Sequence, residues 1–280
     1  NTVEVLQYLV SQGADVNVKA RGGLSLLHAA AWENRVEVLQ YLVSQGADVH
    51  AKDWDDATPL FFAAYRNTVE VLQYLIAQGA DIHAEDWEGS TLLHAAAWKN
   101  DVEVLRYLIS LGIDVHAKDG FDTIPLHAAA GGNSVTVLQY LVSLGADVHA
   151  KDRYGNTLLH NAAEFNTVEV LQYLISQGLD VHAKGKHGMT PLHNAAERNT
   201  VEVLQYLISQ GADVHACAKG CFGDTSLHRA AMFNANIEVL QYLIAQGVNV
   251  HAKNDDGKTP LDVTNSEEKK HILREAMAKQ

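Results

Sequence analysis

Apolar and polar positions repeat along this chain in a fixed order. In "VEVLQYLVSQG" (Val36–Gly46), Val38, Leu39, Leu42 and Val43 fall at helical spacing and predict an amphipathic helix. Gly46 is placed to end it, just past its last turn. The stretch before it, "LLHAAAWEN" (Leu26–Asn34), predicts a shorter, more apolar helix. Asn34 is its expected stop, because Asn tolerates the left-handed backbone found there; Asn67, Asn100, Asn133, Asn166 and Asn199 hold the matching place. Helices shorter than about 12 residues are marginal in water, so such pairs must bury themselves against neighbours.

The pattern recurs. Its glycine falls at Gly13, Gly46, Gly79, Gly112, Gly145, Gly178 and Gly211, a step of 33 residues each time, and then at Gly247, a step of 36. Stacking of like units, each burying the faces of the next, is the architecture such a period predicts. Each unit opens with a "TPLHxAA" box: "TPLFFAA" at Thr58–Ala64, "IPLHAA" at Ile124–Ala129, "TPLHNAA" at Thr190–Ala196. Leucine replaces the proline in "SLLHAAA" from Ser25, "TLLHAAA" from Thr91 and "TLLHNAA" from Thr157. Pro59, Pro125 and Pro191 lie two units apart, as do Trp32 and Trp98, so a two-unit block looks duplicated.

With this box and period the chain resembles the ankyrin repeat family. The resemblance implies an all-α solenoid of stacked helix-turn-helix units with projecting β-hairpin or loop fingers. The expected organisation is a single domain over 1–280 with no internal boundary: a partial unit at 1–19, then about eight repeats at 20–52, 53–85, 86–118, 119–151, 152–184, 185–217, 218–253 and 254–280. In the last of these Lys, Glu and Arg stand at formerly apolar positions, which suits a cap with a polar outer face.

Charge narrows the partner. Thirty-four acidic against 21 basic residues give −13, unsuited to a phosphate backbone or an anionic membrane. The expected partner is a protein or peptide with a basic segment, with no nucleic acid, no membrane and no cofactor, and the expected state is a cytoplasmic monomer. The chain opens inside a unit, at "NTVEVLQYL", as a fragment of a longer or secreted effector protein would. Cys217 and Cys221 cannot make a disulfide framework, and with His215 as the one obvious third ligand they fall short of zinc's four. The unit carrying them has three extra residues, two in "HACAKGCFGDT" and one in "MFNANIEV".

Histidines form two rows. His28, His94, His127, His160, His193 and His228 occupy the box, with Phe61 in their place once. No recurring nucleophile or acid accompanies them, and the family resemblance implies a structural ring that ties finger to backbone. The other row, His50, His83, His116, His149, His182, His215 and His251, follows the glycine, with Asn17 in its place once. Like side chains of stacked units point the same way about 8–10 Å apart, too far to share a metal. By the resemblance, Asn at that place is a known site of oxygenase hydroxylation, an expectation that His weakens.

If the repeated letters are frame, recognition belongs to the unlike ones. The fingers contribute Trp54, Asp55, Trp87, Glu88, Phe121 and Tyr154, and the first helices Trp32, Tyr65, Arg66, Trp98, Lys99 and Phe165. By the resemblance these line a concave face. Further variable positions are Arg153, Lys186, His187, Phe222, Glu164, Glu197, Arg198, Met232 and Phe233. All four tryptophans are among them; rings of this kind anchor protein interfaces, or else shield the finger bases. Asp55, Asp56, Asp86 and Glu88 suit a Lys- or Arg-bearing segment. The tyrosine of "LQYL" does not vary and is expected to pack. The leading expectation is a non-catalytic protein-interaction scaffold; the alternative is a structural spacer or self-assembly domain. No phosphate loop, HExxH, nucleophile elbow or calcium loop stands out, so an enzyme is not expected.

Overall fold

A computed structural model describes residues 3–66, 69–99, 102–132, 134–165, 167–219 and 223–279. The chain forms two compact units, Asn1–Ala129 with Thr136–Ala146, and Ala130–Val135 with Asp147–Gln280. Asn67, Asn100, Asn133, Asn166, Cys221 and Phe222 lie outside the described residues.

The expected helix pairs are present. In chain order the first helices run α1 (Val3–Ser11), α2 (Leu26–Trp32), α3 (Val36–Ser44), α4 (Pro59–Arg66), α5 (Val69–Ala77), α6 (Leu92–Lys99), α7 (Val102–Ser110), α8 (Pro125–Gly131) and α9 (Val135–Ser143). They continue with α10 (Leu158–Phe165), α11 (Val168–Ser176), α12 (Pro191–Arg198) and α13 (Val201–Ser209). A two-stranded hairpin, β1 (Cys217–Ala218) and β2 (Asp224–Thr225), precedes α14 (Ser226–Met232), α15 (Ile237–Ala245), α16 (Pro260–Val263) and α17 (Glu267–Met277). Box helices pack on box helices, α2 on α4 on α6 in one unit and α10 on α12 on α14 on α16 in the other. The box helices α2, α4, α6, α10, α12, α14 and α16 each also pack on the helix that follows. Among the described residues no helix is long and apolar enough to cross a membrane.

Burial follows the repeated letters. Val38, Leu39 and Leu42 of α3 are buried, as are Val71, Leu72 and Leu75 of α5, whereas Val43 is half-buried. Full burial of one such side chain stabilises by about 1.5–3 kcal/mol. Gly46 has φ of 85°, its N–H reaches the Val43 carbonyl, and the Ala47 N–H reaches Leu42. This pair of reversed bonds is the Schellman close of a helix, and it needs a residue at home with positive φ. The "LQYL" tyrosine is half-buried from Tyr41 onward, while Tyr8 in the first helix is exposed.

The box histidines bind one repeat to the next. The Ser25 backbone N–H donates to His28 Nδ1 at 3.0 Å, and His28 Nε2 lies 3.0 Å from the Ala57 carbonyl. A backbone N–H can only donate, so Nδ1 is the acceptor and the proton sits on Nε2, which donates to Ala57. His94 does the same with Thr91 and the Thr123 carbonyl, and His160 with Thr157 and Met189. His228 joins Thr225 to Lys258. The Ser or Thr hydroxyl completes a capping box in which His replaces the usual Glu. The second row differs: its rings are exposed, and its backbone N–H groups donate to the side-chain oxygen of the Asp or Asn two residues earlier, as His50 does to Asp48 Oδ1 at 2.9 Å. Asn17 alone in that row reaches its neighbour, donating to the Gly46 carbonyl and accepting from the Asp48 N–H.

Two expectations need correction. Asn34 has the left-handed φ of 58° expected of it, but Asn199 is extended, with φ −106° and ψ −171°. Its amide instead donates to the Ala163 carbonyl at the end of α10, and Asn234 donates likewise to Ala196 and Asn199. Orphaned carbonyls at a helix end are thus satisfied by side chains from the next repeat rather than by a local left-handed turn. In α17, Lys269 does not belong to a polar outer face. It is buried, and its ammonium donates to the Ala230 and Ala231 carbonyls at 3.0 Å, the same task in the last repeat. Burial lowers its pKa.

Burial also lowers the pKa of His28, His94 and His160, and that of His193 to about 4. Between pH 6.5 and about 4 the unfolded chain therefore binds more protons at His193, so its contribution is full above pH 6.5 and is lost as pH falls through that window. The loss is about 3 kcal/mol at one pKa unit per 1.4 kcal/mol. Thermal unfolding from pH 7 to 4.5 should show the midpoint falling more steeply in the wild type than in His193→Asn. Parallel pH profiles would contradict the assignment.

Candidate functional site

Fingertip geometry is set by an aspartate at the base of four successive fingers. Asp53 Oδ1 accepts the N–H groups of Asp55 and Ala57 at 2.9 Å, Asp86 those of Glu88 and Ser90, Asp119 those of Phe121 and Thr123, and Asp152 those of Tyr154 and Asn156. In the first compact unit the tips also join to one another. The Trp54 N–H donates to the Gly22 carbonyl, Trp87 to Asp55, and Gly120 to Glu88. Gly120 permits this close approach, since a Cβ there would lie 2.7 Å from the Glu88 oxygen. The finger from Lys184 has glycine where its neighbours have aspartate. A Cβ on Gly185 would overlap Asn156 Oδ1, which accepts from the Lys186 N–H where the tips of the first unit use a backbone carbonyl.

The variable rings of the first unit fall into two groups. Trp54 and Trp87, at 76% and 64% exposed, stand out from the fingertips. Trp54 rests on the backbone of Gly23. On the box helices Trp32 and Tyr65 stack with centroids 5.5 Å apart and planes 13° apart. Arg66 lies over Trp32 at 4.6 Å and donates from Nε to its carbonyl, while Lys99 lies over Tyr65 at 5.0 Å. Half-buried Trp98 and Phe121 complete the set named from the sequence in this unit.

Between fingers and box helices runs a groove of about 280 Å³. Trp32, Asp55, Tyr65 and Trp87, all expected, line it, together with Asp53, Ala57, Phe61, Phe62 and Asp86. Phe61 stands where the other boxes carry the tying histidine, and Phe62 meets His28 and Trp32 edge to face at 5.1 and 5.9 Å. Burial raises the Asp86 pKa against the opposing pull of its two N–H donors. Glu88 is raised by burial first, and then by the repulsion of Asp86, Asp119 and Asp55. These carboxylates share one field, which a cation would relieve.

The second unit presents charge pairs on the corresponding helices. Arg229 of α14 pairs with Glu197 of α12 and lies 3.5 Å from Asp224, whose other oxygen accepts from Asn254 at 2.9 Å. Arg198 reaches Glu164 at 3.1 Å and Glu197 at 3.5 Å. The rings expected here are covered by cations: Lys186 over Tyr154 at 4.3 Å, Arg198 over Phe165 at 5.9 Å and Arg229 over Phe233 at 4.5 Å. Phe62 and Arg229 were not among the expected site residues. Both occupy the variable place inside the "TPLHxAA" box, which elsewhere reads Ala or Asn, and that variation was the available signal.

Removing one partner from a buried ion pair costs about 3–5 kcal/mol, whereas an exposed pair contributes about 0–1. Arg229 is 13% and Asp224 2% exposed in their side chains, against 56% for Arg198. Chemical denaturation should therefore find Arg229→Met strongly destabilised and Arg198→Ala within about 1 kcal/mol of the wild type. Equal effects would contradict the burial argument.

A family model for ankyrin repeats in three copies matches residues 1–53, 50–119, 126–218 and 192–274. No curated protein matches the sequence. The ankyrin-repeat architecture is generally a non-catalytic, protein-binding scaffold. Among the described residues no group of three or more His, Cys, Asp or Glu side chains is placed to hold a metal ion. With this match over most of its length, and with boxed helix pairs, interlocked fingers and glycine-closed second helices in both units, the chain belongs to the ankyrin repeat family.

Proposed function

We propose that the chain binds a protein or peptide partner along the concave face formed by fingers and box helices, and that the first unit carries the anchoring residues. The observation behind this reading is the pairing of exposed rings with carboxylates. Trp54 and Trp87 are large apolar side chains left in water, beside a ring-lined groove that holds Asp53, Asp55 and Asp86. Exposed tryptophan costs solubility and gains nothing for stacking, while Trp is among the residues that dominate binding energy at interfaces. Uncompensated carboxylates add attraction for a basic segment, speeding encounter and setting register. Within the second unit the acids Glu164, Glu197 and Asp224 are already paired with Arg, which favours the first unit as the docking region. The partner binds as a peptide or a folded protein to monomeric scaffold.

Crosslinked pull-down with mass spectrometry from the native host, using wild type and a Trp54→Ala, Trp87→Ala double variant, tests the reading. The expected result is loss of captured partner by tenfold or more with the thermal midpoint unchanged. Intact capture with a large drop in stability would assign the rings to packing. Concentration-dependent sedimentation abolished by the double variant would favour self-assembly instead.

A further inference from the structure

The groove in the first unit has a composition that selects one kind of guest. Five of its lining side chains are rings: Trp32, Phe61, Phe62, Tyr65 and Trp87. Three are carboxylates, Asp53, Asp55 and Asp86, and none is a cation. At about 280 Å³ it has room for the end of one side chain rather than for an element of secondary structure. We propose that it is a socket for a single N-methylated lysine of the partner, with aromatic side chains around the alkylated ammonium and carboxylates supplying counter-charge.

The aromatic lining supplies the main attraction. A cation over an aromatic face is drawn by the ring quadrupole, and cages of such rings recognise quaternary and methylated ammonium groups. Such a group carries few or no N–H donors, so it enters an aromatic lining without leaving donors unsatisfied, as a plain ammonium with three would. Two of the three carboxylates are poorly arranged for a guanidinium fork. Asp53 and Asp86 each already use Oδ1 to accept two backbone N–H groups, leaving one oxygen apiece for a guest. A bidentate partner wants both oxygens of one carboxylate. Counter-charge from Asp53 and Asp86 therefore comes with one free oxygen each, which suits a diffuse cation.

The place of the socket in the repeat supports this assignment. Phe61 occupies the one box in which the tying histidine is missing, and it turns a position of the frame into part of the groove wall. Arg66 and Lys99, which lie over Trp32 and Tyr65, are not among the lining residues, so the groove itself holds no cation of the chain.

The proposal rests on the reading of this face as a docking surface and narrows it to one side chain, so its test needs no partner. N-acetyl-trimethyllysine amide, N-acetyl-lysine amide and the neutral tert-butyl isostere of the first are titrated into the full chain, followed by the indole N–H resonances of Trp32 and Trp87. The trimethylated probe is expected to shift both signals, with affinity at least tenfold above the other two. Trp87→Ala and the milder Phe61→Leu should each weaken it at least fivefold, and Trp54→Ala, outside the lining, should leave it unchanged. Equal affinity for the neutral isostere, preference for unmodified lysine, or no shift at either indole would overturn the socket. If that happened while partner capture still depended on Trp54 and Trp87, the docking face would stand without it; loss of dependence in the pull-down would instead remove the face.

Discussion

A single buried hydrogen bond holds successive repeats in register: the Nε2–H of a box histidine donated to the carbonyl at the base of the next finger. It runs from His28 to Ala57, His94 to Thr123, His160 to Met189 and His228 to Lys258. The ring is fixed from its other side by a backbone N–H that can only donate, so tautomer and orientation leave no freedom. Burial lowers the pKa of His28, His94 and His160, and a neutral ring is the only form that can accept on one side and donate on the other. Leucine and valine layers supply most of the burial, but they would tolerate sliding by small amounts. The histidine does not, and each finger therefore stands at a set height above its helix pair.

A frame so fixed frees other positions to vary. Fingertip residues are positioned by their backbone, through the base aspartate and through tip-to-tip bonds such as Trp87 N–H to the Asp55 carbonyl. Apart from Gly120, whose missing Cβ admits the Glu88 carbonyl, the residues at this place bond through their backbone, and successive fingers carry Trp, Arg or Lys there. One box departs from the rule. With Phe61 in place of histidine the ring makes no bond to the following finger, and the space beside it is the aromatic groove. Loss of one tie and gain of a lined cavity at the same place is the kind of local inconsistency that marks a functional position in an otherwise uniform sequence.

Most of the fold was legible in the sequence because the period is strict. The glycine that closes each second helix, the apolar spacing of Val38, Leu39 and Leu42 and the structural nature of the box histidines all follow from repetition and elementary backbone chemistry. What was not legible depended on contacts between repeats. Asn199 looks like a local helix stop, yet its amide reaches 36 residues back to Ala163. Lys269 looks like a surface lysine and is buried on two carbonyls. Phe62 and Arg229 sit inside a box read as frame, where only the partner across the stack reveals their work. The variable rings could be named from the sequence, but not sorted: which of them face water, which stack on one another and which lie beneath a guanidinium are questions of distance.

The direct measurement is of the histidine protons themselves. Long-range nitrogen–proton spectra of the imidazole rings at pH 7 report tautomer and exchange ring by ring. His28, His94, His160 and His228 are predicted to be neutral, with the proton on Nε2 and slow to exchange with solvent, while the exposed row from His50 to His251 exchanges fast. A proton on Nδ1 in the box histidines, or exchange as fast as in the exposed row, would contradict the account.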